Sequence, residues 1–490
     1  MAVQRIFGLS GSGMDVDSMV KKLMEAKRGQ YNKLYQNRTL LEWKKSAYAD
    51  VNKDITAFKN TLVGYKLSGT LAIKSVTSTN ANVATATANA ESDDISHSLS
   101  VTQLATGVRL TSTGNITTGD SKDSIAKQFY GGAAPLEPIT LNIANGSAST
   151  KVTVDPNKSI YDFVNQINAA KINVTANYDA ALDRCFINTT NTGANAGIDF
   201  SGSDVNGLDF LTNKLKISSE PQNGVNAKFN LDGVDLTQES NNFMISGVSY
   251  NLAAQGATTF KVATDVDKTV TSVQNFVDAY NKMLDNVNDK LDEPRYRDYL
   301  PLTDEQKKDM KDVEISAWEK KAKSGMLARD PILQNFIYSA RNALVTPVAG
   351  LSGTYTSAAA IGITTGAYTE GGHIYLESGK LRAALAAEPD AVLKIFGSNG
   401  DDKSGIAFML DNVVDTVKKQ VIATAGTSSV VDQTSAIGRQ LSEYNKNIKS
   451  TETKLKEAET NYYQQFSNME TAINKMNSQS SWLSQQFGGK

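Results

Sequence analysis

Val20, Leu34, Leu41, Tyr48, Ile55 and Leu62 stand on one seven-residue register interrupted at Lys27, and Leu23, Val51 and Phe58 fill part of a neighbouring row. Towards the other end, Ile437, Leu441, Tyr444, Ile448, Thr451, Leu455, Ala458 and Tyr462 alternate steps of four and three, and Met469, Ala472 and Met476 continue the register. Each row predicts a long amphipathic helix with a coiled-coil seam. Such a helix alone leaves its apolar stripe in water, so both ends of the chain need partners. The economical arrangement pairs the two ends with each other, with neighbouring copies, or with both. Lys27, Thr451 and Gln465 dilute the seams, which weakens or orients the pairing. Without a partner the terminal segments are expected to be flexible in the free monomer and to order on assembly.

Between these ends the periodicity changes. Residues 70 to 130 are rich in Ser, Thr, Asn and Ala, and His97, Leu99, Val101, Gln103 and Ala105 alternate as a half-buried strand does. Ile139, Leu141 and Ile143, then Asn145-Gly146, then Val152 and Val154, predict a hairpin with a connection longer than two residues. Ser159 is the expected N-cap of a short helix whose apolar face is Ile160, Phe163, Val164 and Ile167. Ile172, Val174, Ala176 and Tyr178 predict a further strand, and FNLDGVDL and NFMISGVSYNL predict hairpins turning at Asp232-Gly233 and Ser246-Gly247. A third heptad run, unbroken, passes through Val266, Val270, Val273, Val277, Tyr280, Leu284, Val287 and Leu291. Pro294 and Pro301 bracket a charged turn region, after which helical patterns continue through Trp318, Ile332 to Ala343 and Leu381 to Phe396.

The order helix, β-rich middle, helix predicts an α+β multidomain chain with long antiparallel terminal helices and the β-rich head inserted between the two halves of a helical stalk. Residues 1–45 with 450–490 form a terminal leg, 46–69 with 268–449 a helical body, 70–130 with 240–267 a first β-rich head domain, and 131–239 a second. At 490 residues the chain is long enough for several such domains. Its net charge of -2 is unevenly spread: residues 14 to 66 carry eleven Lys or Arg against six Asp or Glu, and residues 81 to 260 carry ten against seventeen. The basic ends spread their charge along helical faces without interleaved stacking aromatics, so no nucleic-acid partner is expected. No stretch reaches the roughly eighteen apolar residues of a membrane span, and the first twenty residues lack the apolar core of a secretory signal.

Little points to catalysis. One cysteine, Cys185, permits no intramolecular disulfide, and His97 and His373 are too few for a Cys/His zinc cluster. The GLSGSG at 8 to 13 follows no strand, so it reads as a flexible leader and not as a dinucleotide loop. Asp93-Asp94 and Asp401-Asp402 are adjacent carboxylates whose side chains diverge, as turn or surface residues do. His97 fits a strand position, His373 lies in the Gly-rich GGHIY loop, and no Ser or Cys stands in a nucleophile setting. Carboxylate-only hydrolysis needs no local motif. Trp43 and Trp318 read as packing anchors on helices. No catalytic residue, cofactor or metal is assigned; what repeats is interaction surface.

The motifs match a family from end to end. GSGMDVDSMVKKLMEAKRGQYNKL, LEWKKSAYADVN, HSLSVTQLATGVRLTS, ISGVSYNLA, SGMLARDPILQNFIYSARNAL, LESGKLRAALAAEPDAVLKIFG and MNSQSSWLSQQFGG, in that order, resemble the bacterial flagellar filament cap family, the hook-associated cap proteins (FliD). Residues 156 to 200, especially INAAKINVTANYD, are similar to the small motif shared by flagellins and hook-associated proteins. The resemblance implies a non-enzymatic protein that leaves the cell unfolded through the flagellar type III export channel, without a cleaved signal. It implies a homo-oligomeric ring, commonly a pentamer, at the extracellular distal tip of the filament. Heads form a plate, legs reach into the filament end, and each exported flagellin folds and inserts beneath the plate without leaking away. An export chaperone is implied before secretion, and some members also contact host mucin or surface glycans. Another axial component, such as a hook-filament junction protein, shares the paired terminal helices; a surface adhesin on a coiled-coil stalk requires a secretion signal or an anchor.

The ending NSQSSWLSQQFGGK places Trp482, Leu483 and Phe487 among Ser, Gln and Asn. Chain termini fray, so these side chains have no evident core of their own. They are expected to contact a neighbouring leg, flagellin at the filament tip, or the export chaperone.

Overall fold

The computed structural model describes residues 15–133, 135, 137–397, 404–427 and 432–488. The GLSGSG leader and the Asp401-Asp402 pair lie outside the described residues. The chain divides into two compact units: a helical one, up to Leu71 and from Val270 onward, and a β-rich one from Ala72 to Thr269.

In the helical unit, α1 (Val16–Lys27) and α2 (Gly29–Tyr65) are separated only at Arg28, whose guanidinium pairs with Glu305. Later in the chain come α3 (Val266–Asp292), α4 (Asp312–Lys323), α5 (Pro331–Val345), α6 (Ser378–Ala387), α7 (Ala391–Phe396), α8 (Ile406–Ala425) and α9 (Ala436–Phe487). The second half of α2 supplies the centre of this unit. Tyr48, Val51, Ile55, Phe58, Leu62 and Tyr65 are buried, and the Phe276 ring lies 6.4 Å from Phe58, 5.4 Å from Tyr65 and 4.8 Å from Phe396. From Val273 to Leu291 the heptad positions of α3 are buried, together with Phe276 and Met283. Lys59 pairs with Asp411 and Asp415, and Lys66 with Asp411, which fixes α2 antiparallel to α8. The Tyr48 hydroxyl donates to Asp330 Oδ2 at 2.5 Å; burial, then this carboxylate, pushes the phenol pKa up. Asp330 in turn caps α5, accepting from the N–H groups of Ile332 and Leu333. Neither expected division between leg and body, at 45/46 or 449/450, is a break: α2 and α9 run through both.

In the β-rich unit the strands are β1 (Lys74–Ser78), β2 (Ala84–Ala88), β3 (Ser96–Gln103), β4 (Arg109–Thr111), β5 (Ile139–Asn145), β6 (Ala148–Val154), β7 (Val174–Asp179), β8 (Arg184–Thr189), β9 (Ala227–Leu231), β10 (Val234–Gln238), β11 (Asn242–Ile245), β12 (Val248–Leu252) and β13 (Gly256–Thr264). Every pairing among them is antiparallel. One core lies between the sheet β1-β13-β3-β9-β10 and the sheet β11-β12-β2, and a run of rings threads it: Phe229 on Phe243 at 4.5 Å, Phe243 on Tyr250 at 5.4 Å, Tyr250 against Phe260 at 5.5 Å. The other core gathers β4-β8-β7, the β5-β6 hairpin and the Ile160–Ala169 helix around Phe163 and Phe210. Ser159 stands at the N-cap of that helix, though its side chain makes no capping bond. Cys185 is fully buried here, and burial pushes its thiol pKa up to about 12, which leaves it an inert thiol.

Two sequence expectations are corrected. The head cores do not divide at 130/131 and 239/240: Leu110, Ile116 and Ile125 already belong to the second core, and Ala227 to Leu231 return to the first. The reason is long-range pairing, because β9 bonds to β3, more than a hundred residues away, and carries β10 with it. The hairpin at Asn145-Gly146 has a two-residue connection, since β5 continues to Asn145 and pairs it with Ala148. The other two hairpins turn as read, with φ of +53° and +89° at Asp232-Gly233 and +50° and +77° at Ser246-Gly247, the geometry that matches strand twist. Where the cores meet, a Cβ on Gly193 (φ +95°) would come within 2.7 Å of Glu239 Cβ, so only glycine allows the approach.

Each histidine is tied to a carboxylate. His97 Nδ1 lies 2.6 Å from Asp232 Oδ2, while Asp232 Oδ1 accepts from Ser98 N at 2.7 Å; His373 Nε2 lies 2.5 Å from Asp285 Oδ1. Partial burial opposes ionisation of Asp232, but the bonds from His97 and Ser98 outweigh it and hold the carboxyl below its ordinary value. Asp94 accepts from Lys74 Nζ and Thr264, a structural role for one of the adjacent carboxylates.

Phe276→Ala is expected to destabilise the helical unit by about 3–5 kcal/mol, read from urea unfolding followed by helical circular dichroism. A carboxyl whose pKa is depressed on folding stabilises above its unfolded value and loses that contribution as pH falls through about 4 and below. Asp232→Asn, which preserves the left-handed turn, should therefore make thermal stability fall less steeply than in the wild type between neutral pH and about pH 3.

Candidate functional site

The terminal helices are built from chemistry at opposite ends of the sequence. Asp15 caps α1 by accepting from Ser18 N at 3.0 Å, and Asp17 follows in the first turn. Val16, Val20 and Met24 are buried on α9 against Leu455, Ala458, Tyr462, Tyr463 and Phe466. The Tyr463 hydroxyl donates to Asp17 Oδ1 at 2.9 Å, and that of Tyr31 to Glu452 Oε1 at 3.3 Å, so the amino-terminal helices run antiparallel to α9. Lys27, the interruption in the first stripe, places its ammonium 5.3 Å from the Tyr462 ring centre; the gap in the apolar row is filled by a cation on an aromatic face.

The sequence-assigned residues fall into three groups. Val20, Tyr48, Ile55, Leu62 and Ile448 are buried within the chain, and Leu455 and Tyr462 pack against α1. Leu34, Leu41, Leu441 and Tyr444 are half-buried: α2 and α9 leave between them a groove of about 710 Å³, lined by Leu40, Leu41, Lys44, Glu443 and Tyr444, so this stretch of the two stripes stays open. Met469, Met476, Trp482, Leu483 and Phe487 are exposed, Phe487 at 84%. Trp43 lies under Lys323 Nζ at 5.0 Å, and Trp318 packs at a tilt against Tyr299, ring centres 4.6 Å apart, while donating to the Leu300 carbonyl.

The seven-residue register holds as far as Tyr462. Gln465 and Ala472, its next members, are exposed, whereas Phe466 and Ile473 are half-buried and Glu470 is buried. The packed positions Leu455, Phe466 and then Tyr462, Ile473 repeat at eleven residues, which keeps a straight helix's face aligned where a seven-residue repeat would drift. Tyr463 and Phe466 were the contacts the heptad reading missed; an eleven-residue count from Leu455 finds Phe466, and Tyr463 packs beside Tyr462. Beyond Glu470 the apolar positions Ile473, Met476, Leu483 and Phe487 continue along a helix that is largely exposed.

Among the described residues no three His, Cys, Asp or Glu side chains gather to hold a metal ion, and no helix is long and apolar enough to cross a membrane. What the arrangement offers is a pair of helical stripes closed on each other over one stretch and open over two.

Residues 224–478 match the family model described as the C-terminus of flagellar hook-associated protein 2, and residues 12–107 match that of its N-terminus. This chain belongs to the flagellar hook-associated protein 2 family. The family resemblance read from the motifs is thereby confirmed. The hook-associated protein 2 of Halalkalibacterium halodurans is 30% identical over 535 residues, covering 99% of this chain and 99% of its own. That of Escherichia coli K12 is 24% identical, covering 97% of each. The fold is similar to the crystal structure of the flagellar cap protein FliD D1-D2-D3 domains from Escherichia coli, with a TM-score of 0.58 at 20% identity, covering 81% of this chain and 99% of that one. The α+β multidomain architecture is thus the family's.

Because residues 478–487 are exposed throughout, truncation of 478–490 is expected to leave the unfolding of both units unchanged within about 0.5 kcal/mol. Differential scanning calorimetry checks this; a lowered transition means those residues pack within the chain.

Proposed function

We propose that this chain is a non-enzymatic cap at the distal tip of a bacterial flagellar filament. A ring of copies, five by the family resemblance, covers the growing end, keeps exported flagellin from leaking, and supports its folding and insertion. The observation that carries this reading is the exposed apolar continuation of α9, Met476, Leu483 and Phe487. An apolar stripe of this length on a helix that is closed by α1 elsewhere is what a partner-seeking leg requires. Support comes also from family membership and from the likeness to a structure titled as a flagellar cap protein. The open groove between α2 and α9 and the polar positions on the seams keep each leg contact modest, so that coiled-coil legs release and rebind as subunits are added. Export through the type III channel without a cleaved signal, and protection of the α9 stripe by a chaperone before export, belong to the same proposal.

Deletion in the native organism tests it. Short or absent filaments with unpolymerised flagellin in the medium are expected; long filaments without leaked flagellin overturn the proposal.

A further inference from the structure

One groove of the helical unit lies apart from the terminal helices. The carboxyl end of α3, the outer face of α5 and the Gly371-Gly372 loop enclose about 500 Å³. Tyr338 stands on its wall 74% exposed, with Arg341 one turn further along α5 and Arg329 just before that helix. Among the described residues neither guanidinium makes a hydrogen bond or an ion pair. Asp292, on the same wall, is exposed and pairs with neither, so the groove keeps an excess of positive charge.

The backbone adds a second observation. Arg329 adopts φ +57°, a left-handed conformation that costs an L-residue with a long side chain about 1–2 kcal/mol and that glycine adopts freely. The turn itself has a structural purpose: the Arg329 N–H donates to the Leu291 carbonyl at 3.1 Å, and Asp330 is thereby presented to cap α5 and receive Tyr48. That purpose needs the turn and not the guanidinium. Strain accepted for a side chain that bonds to nothing described in its own chain points outward. Tyrosine and arginine around a groove form the composition of an interface anchor.

We infer that this groove docks an acidic segment from the β-rich unit of a second copy. The charge asymmetry selects that occupant, since residues 81 to 260 carry seventeen Asp or Glu against ten Lys or Arg. The inference rests on the reading that the chain assembles with itself, and it names where.

Sedimentation of the full-length protein tests it. Wild-type self-association should weaken as salt rises. Arg329→Glu with Arg341→Glu should weaken it about tenfold or more, and Tyr338→Ala similarly. Arg329→Gly separates assembly from folding: it removes the guanidinium and the strain together, so association falls while the melting temperature does not. Association unchanged in the double charge reversal overturns the inference, as does a wild-type chain that stays monomeric at every concentration. Association that survives charge reversal but is lost on truncation of 478–490 assigns the second copy to the α9 stripe instead; it overturns the groove and leaves the cap reading standing.

Discussion

Burial of one face of α2, from Tyr48 to Tyr65, is the interaction on which the helical unit depends. Its partners arrive from far along the chain: Phe276 from α3, Asp330 ahead of α5, Phe396 from α7, and the Asp411 and Asp415 carboxylates from α8. The unit is therefore incomplete until nearly the whole chain has been made. An insertion of some two hundred residues is tolerated because the entropy of closing a loop grows only with the logarithm of its length, about 0.6 kcal/mol for each doubling. The two connections leave together, as Ser272 Oγ donates to the Thr70 carbonyl at 2.9 Å.

The parts of the fold legible in the sequence are those specified locally. The unbroken heptad from Val273 to Leu291 is buried where it was expected, and Asp232-Gly233 and Ser246-Gly247 turn where left-handed residues must stand. The parts that were not legible depend on pairing between distant segments. Nothing near Ala227 says that its strand will bond to β3 as well as to β10 beside it in sequence, so the division between head cores was misplaced. Asn145 pairing with Ala148 lengthened a hairpin whose apolar alternation had faded before the turn.

The candidate site shows the same limit on a finer scale. Seven-residue spacing located the terminal helices, yet on α9 the packed face follows Phe466 and Ile473, and Lys27 contributes through the Tyr462 ring where it had read as a defect. Periodicity reports which residues share a face; it does not report which atoms a cation will find across the gap. Arg329 was invisible for another reason, because its backbone angle is set by a cap and a carbonyl that belong to α5 and α3.

The length of α9 has a mechanical consequence. Fifty-two residues span about 78 Å, and the stretch past Glu470 makes up roughly 25 Å of that. A rod gripped along one part and bare along the rest converts rotation at the grip into travel at the tip. A swing of about 20°, the scatter within a single class of helix packing, carries the end some 9 Å, close to one interhelical spacing. Small adjustments where α1 meets α9 are thereby large displacements for Phe487.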